Sequence, residues 1–193
     1  MFLYIKRRVD FRRSIDMVFL RILIPKKESE QDERKETVRD FKEQISLMEQ
    51  LLASLKALHS GGLKSRLFGQ DYLSLEYVAY KQEIYFYVVV PKKAKNLIEK
   101  QISGSYPDAV IDETEEIDIF GDKKVVKGVE LVLSKSFHYP IKTYQKLESD
   151  PINAIVSALG KLGETDAASI QILLSPISDT WQKSVKKTEK QKK

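Results

Sequence analysis

Cysteine is absent from this sequence, histidine occurs only at positions 59 and 138, and there is a single tryptophan. Without cysteine there is no disulfide framework, no thiolate nucleophile and no cysteine zinc site. Two histidines far apart in sequence make a histidine metal site a poor expectation. Long apolar runs are also missing. The stretch Met17 to Ile24 is interrupted by Arg21 and is far shorter than the roughly 18 apolar residues of a membrane span. No apolar core followed by small residues stands behind the early arginines, so a secretory signal is a poor fit. Glycine-rich phosphate loops of the G-x-x-x-x-G-K-[ST] or G-x-G-x-x-G kind do not occur either. The pairs Gly61-Gly62 and Gly160/Gly163 read as helix stops.

What is present is an ordinary globular composition, 42% hydrophobic and 32% charged over 193 residues, enough to bury a core. The formal charge of +5 is concentrated at the ends: residues 1–16 carry +3 and residues 181–193 carry +5, leaving −3 for residues 17–180. The body of the chain is therefore no basic platform for nucleic acid.

Hydrophobic periodicity orders the elements. Met17–Ile24 reads as a strand stopped by Pro25. The acidic run from Glu28 to Glu33 opens a long helix, whose stripe is Val38, Phe41, Ile45, Met48, Leu52 and Leu55 and which Gly61-Gly62 ends. A polar loop over residues 60–70 follows. Strands Tyr72–Tyr80 and Ile84–Val90 flank the loop Lys81-Gln82-Glu83. Lys92–Ser103 is helical, with Gly104 as its C′ residue, and Ala109–Ile111 begins a strand running into the acidic stretch Asp112–Asp118. This βαββαβ order predicts an α+β fold, a ferredoxin-like sheet covered by helices.

Beyond it lie a predicted strand Val125–Leu133, a helix started by Asp150-Pro151 and a strand Ser169–Leu174 ended by Pro176. This smaller β-α-β(-α) extension is either half of a second ferredoxin-like unit or extra strands on the first sheet. The expected organisation is a basic segment over 1–16, the ferredoxin-like sandwich over 17–120, the extension over 121–178 and a lysine-rich linker or helix start over 179–193.

No constellation calls for catalysis. The carboxylates Asp112, Glu113, Glu115, Glu116 and Asp118 lack the fixed spacing around a glycine turn that a hard-cation loop needs, and they read as an acidic edge. His138 has no nucleophile or acid beside it. Catalytic, cofactor and metal residues are all expected to be absent. Two other surfaces stand out. Lys6, Arg7, Arg8, Arg12 and Arg13 are set among Phe2, Leu3, Tyr4, Ile5 and Phe11; they could hold an anionic membrane surface or phosphates, against the plainer reading of a solvated terminus. Tyr85 and Tyr87 share one strand face with Val89. They could stack bases, but the RNA-module signature is missing, so a second packing surface is preferred, covered by the C-terminal half of the chain or by a partner, with Trp181 as a further partner-interface candidate.

One block carries a resemblance: Pro140-Ile141-Lys142-Thr143-Tyr144, then Glu148-Ser149-Asp150-Pro151-Ile152-Asn153-Ala154-Ile155, Ile170 to Pro176, and Trp181-Gln182-Lys183. The hairpin end Ile84–Pro91 and Tyr106-Pro107-Asp108-Ala109 fit as well. Over residues 17–185 the chain resembles an N-terminal domain of unknown function that precedes the P-loop motor in conjugative-transfer and type IV secretion ATPases of uncultured bacteria. The resemblance implies a non-catalytic assembly or docking domain, bacterial and membrane-associated. Its expected partners are a P-loop motor domain or ATPase subunit, further copies of itself and a peripheral membrane contact. A nucleic-acid-binding module is the alternative. No motor and no clear membrane span accompany it here. The expectation is accordingly a fragment, a split gene product or a stand-alone partner of the ATPase, in the cytoplasm and peripheral to the inner membrane.

Overall fold

A computed structural model describes residues 2–25, 38–121, 125–135, 139, 143–146 and 151–177. Strand β1 (Met17–Leu23) alternates strictly: Val18, Leu20 and Ile22 face one way, Met17, Phe19 and Arg21 the other. It lies near the centre of an antiparallel sheet of five strands among the described residues. The others are β2 (Leu73–Tyr80), β3 (Glu83–Pro91), β4 (Val110–Thr114) and β5 (Ala167–Leu174), and the order across the sheet is β4-β1-β3-β2-β5. In register, Leu20 lies opposite Val88 and Glu113, and Leu75 opposite Val88 and Ile172. The last strand therefore extends the first sheet along β2.

Helices α2 (Val38–Ser54) and α4 (Lys95–Ser105) cover one face. Ala94, Ile98 and Ile102 recur every four residues, so they line one side of α4 and its preceding turn, and all three are buried. They meet Val18, Leu20, Leu73, Val90 and Leu51 of α2, with Met48, Leu55 and Leu58 at the margin. Leu20 has no exposed surface at all. Burying each such side chain contributes about 1.5–3 kcal/mol, and this layer is where the fold gains most.

Several expectations need correction. The basic segment over residues 1–16 carries a helix, α1 (Phe2–Ile15), where no helix was expected, and its charged side chains are mostly exposed. The loop over residues 60–70 contains a further short helix, α3 (Leu63–Phe68). Gly104 lies inside α4, and the Tyr106 N–H closes the helix by donating to the Ile102 carbonyl at 2.7 Å. Residues 125–133 form no strand; they run as irregular, exposed chain. Their alternation satisfies the side-chain half of a strand, but a strand also needs a neighbour for its backbone groups. The helix α5 (Pro151–Leu159) starts at its proline as expected. The acidic start foreseen for α2 lies outside the described residues.

The β2–β3 turn is tighter than the three-residue loop foreseen. Tyr80 pairs with Glu83, leaving Lys81 and Gln82 as the turn, at φ 50° and 63°. Two left-handed residues make the hairpin geometry that suits a right-twisted ribbon, and glycine is the residue that adopts it freely. Gln82→Gly should therefore raise the unfolding free energy by about 0.5–1 kcal/mol, since relief of left-handed strain is partly offset by a looser unfolded chain. Urea denaturation checks it through an increased midpoint at unchanged slope. Lys81 is best left in place, because its Nζ lies 5.2 Å from the Tyr80 ring centre.

Candidate functional site

The face of the sheet turned away from α2 and α4 is part apolar and part polar. Val78, Tyr87 and Val89 form its buried centre, flanked by Met17, Phe19, Tyr80 and Tyr85. Ile117 and Ile119, beyond the end of β4, pack against this centre. Phe19 meets Tyr87 edge-on at 6.3 Å.

Across the same face one row of residues runs through all five strands in register: Asp112, Arg21, Tyr87, Glu76 and Gln171. Arg21 Nη2 donates to Asp112 Oδ2 at 3.0 Å, and Gln171 Nε2 donates to Glu76 Oε1 at 3.1 Å. The bond to Asp112 holds the Arg21 guanidinium above its already high ordinary pKa. Tyr87, 4% exposed, separates the two pairs, and Glu76 is 7% exposed. Four buried polar atoms on this face, Arg21 Nε, Ser74 Oγ, Thr114 Oγ1 and Ser169 Oγ, have no hydrogen-bond partner among the described residues. Such a polar row penalises any register slip, because a shift by one residue would drive every member to the other face.

A second feature is the seat of α1. Arg13 reaches from the last turn of that helix to the end of α3, donating from Nη1 to the Phe68 carbonyl at 2.6 Å and from Nη2 to the Gly69 carbonyl at 2.8 Å. Its Nε lies 3.4 Å from Asp71 Oδ1, and Lys93 Nζ approaches the other oxygen of that carboxylate at 2.5 Å. Gly69 has φ 84°, a left-handed conformation that favours glycine. An open cleft of about 380 Å³ lies along this junction, with Arg12, Arg13, Asp16, Gln70, Asp71 and Lys93 in its wall. Both signs of charge line it, and Asp71 is shared between two cations.

The third feature is an unguarded edge. At the β4 side of the sheet Glu113 is paired with Lys95, and Glu115 and Glu116 stand exposed beyond the strand. Asp118, also exposed, caps the turn that follows it instead. Its Oδ1 accepts from the Gly121 and Phe120 N–H groups at 2.9 Å, which holds its carboxyl below the usual aspartate range. Charges of this kind discourage another strand from pairing. The β5 side has none: residues 167–174 contain no charged side chain, and Leu173 is 65% exposed. In the stretch 125–133, Val129 is 88% and Leu131 93% exposed.

The residues singled out from sequence are scattered by the fold. Lys6, Arg7, Arg8 and Arg12 are exposed on α1, whereas Arg13 is committed to holding that helix in place. Tyr87 is interior, and Tyr85 is half-buried with its hydroxyl bonded to the Glu83 carboxylate, which raises the phenol's pKa. Trp181 and His138 lie outside the described residues. Among those described, no three His, Asp or Glu side chains cluster closely enough to hold a metal ion, and no helix is long and apolar enough to cross a membrane. Sequence reasoning missed the Arg13 seat and the Glu76–Gln171 pair. The separation of 95 residues in the pair leaves no local signal.

An antiparallel α+β sheet with one helix-covered face defines a domain of mixed class. The chain belongs to the family described as Domain of unknown function (DUF8128), which it matches over residues 27–193. Helix α1 and strand β1 precede that match. No curated protein and no solved structure matches the chain.

Proposed function

We propose that this chain is a non-catalytic assembly or docking domain that works with a type IV secretion or conjugative DNA-transfer ATPase. The observation that carries docking is the aliphatic surface left in water by residues 125–133 and the uncharged β5 edge. Isolated exposed leucines need no explanation, but a run of exposed aliphatic residues in a chain that also has a bare edge marks an interaction surface. The link to the ATPase rests on the resemblance of the blocks around Pro140, Asp150-Pro151 and Trp181. We further infer that β1, α2, β2, β3, α4 and β4 constitute a ferredoxin-like unit. Its support is the order β4-β1-β3-β2, with α2 and α4 as the two crossovers.

The direct test titrates the full chain into a separately produced P-loop motor domain of such an ATPase and measures heat. Saturable binding that Leu131→Lys weakens at least tenfold is the expected result. No binding to the motor, together with no co-sedimentation on anionic vesicles, would overturn the reading. The nucleic-acid alternative is favoured by one feature, the exposed Lys6, Arg7 and Arg12 on a seated helix. Titrating labelled single strands at two salt concentrations separates the two. Binding that vanishes with the basic ends leaves the sheet out of it.

A further inference from the structure

The same chain carries both halves of an unmade strand pair. One half is β5, eight residues with no charge, proline or bulge to deter a neighbour, its inner side bonded to β2 from Leu73↔Leu174 to Tyr80↔Ala167 and its outer side unpaired within the sheet. The other half is residues 125–133, in which Val125, Lys127, Val129, Leu131 and Leu133 fall on one side of an extended chain and Val126, Gly128, Glu130 and Val132 on the other. This stretch belongs to none of the five strands, and its aliphatic side chains stand in water.

We propose that two copies of this chain associate by reciprocal strand addition, each laying residues 125–133 along the outer edge of its partner's β5. This deepens the docking reading and rests on it. Three observations select this arrangement. The stretch carries one Lys127 and one Glu130, so it is neutral and two copies do not repel. The β4 side is a worse host, because it carries the charged Lys95–Glu113 pair and Glu115 and Glu116 stand exposed just beyond the strand. Set beside β5, the more apolar row of the stretch continues the helix-side row Ile170, Ile172 and Leu174, while Glu130 falls on the side of Gln171 and Ser169. A reciprocal exchange uses both edges and closes at two copies, where a one-way addition would grow into an open filament.

Sedimentation equilibrium over a wide concentration range reads the association directly. The mass should climb from 22.3 kDa towards twice that value. Val129→Pro, placed in irregular chain where the monomer's fold does not depend on it, should weaken pairing at least tenfold while leaving the circular-dichroism melt unchanged. Ile172→Lys on the host edge should weaken pairing as well. Hydrogen exchange should show amides 125–133 becoming protected only as concentration rises. A constant 22.3 kDa, or pairing undiminished in both variants, overturns the proposal. So does concentration-independent protection of 125–133 in a monomer, which would mean pairing within one chain, or protection that arises only when the motor domain is added. Motor binding by the parent chain, measured in parallel, keeps the two readings apart. Pairing without motor binding sinks the ATPase link alone, and motor binding without pairing sinks the self-association alone.

Discussion

Leu20→Ala should lower the unfolding free energy by about 3–4 kcal/mol, because a fully buried leucine surrounded by packed neighbours leaves a cavity that the core only partly refills. Leu20 touches the layer beneath α2 and α4 from the middle of a central strand, so collapse around it would have to move β1 or both helices. Against a typical total of about 5–15 kcal/mol, that loss removes a large share of stability. Chemical denaturation should show a lower midpoint with an unchanged slope. Leu131→Ala is the natural contrast. At low concentration its effect should stay within about 0.5 kcal/mol, the range of surface substitutions that break no packing. A Leu20 variant as stable as the parent would mean that the helix-side layer is not the core.

Arg13→Ala should free α1 without unfolding the sheet. The guanidinium makes two charge-assisted bonds to carbonyls and an ion pair with Asp71, and bonds to a charged group contribute about 1.5–3 kcal/mol each before exposure is discounted. Its side chain is 20% exposed, so about 1.5–3 kcal/mol for the whole seat is a reasonable scale. That corresponds to roughly tenfold to hundredfold more frequent opening of the helix. Tryptic cleavage after Arg7, Arg8 and Arg12 should accelerate by that factor, while amides of β1 to β3 keep their protection. Arg13→Lys should rescue little, since an ammonium cannot serve two carbonyls and a carboxylate in the planar fork of an arginine. Equal loss of protection in helix and sheet would show that α1 is part of the cooperative core.

Elements defined by a local rule were legible in the sequence. The alternation of Met17 to Leu23 and the proline at the start of α5 place their elements within a residue or two, and the helix expected over Lys92–Ser103 begins as a tighter turn at Lys92–Ala94 before α4. What escaped depends on partners distant in the chain. Helix α3 looks like polar loop because its six residues gain their conformation from outside. Ser65 Oγ bonds the Ser60 and Gly62 carbonyls, and Arg13 takes the carbonyls at its far end. Helix α1 reads as a charged tail because it has no apolar stripe to announce it; one arginine in its last turn ties it to the body. The opposite error befell residues 125–133, which have the pattern of a strand yet pair with none of the described strands. The polar row from Asp112 to Gln171 could not be read at all, because it exists only once the registers of four strand pairs are known.

The attachment of β5 has a temporal consequence. Everything needed for the four strands β4, β1, β3 and β2 has left the ribosome once Thr114 is free, yet the fifth strand begins only at Ala167. At typical synthesis rates of about 5–20 residues per second, the nascent chain spends on the order of 3–10 seconds with the flank of β2 bare. During that interval Glu76 lacks the Gln171 amide that later donates to it, and neighbouring nascent chains on the same message present the same vacant flank. A slow stretch of codons across residues 115–166 would lengthen the wait, making translation speed a determinant of how much of this protein matures without tangling.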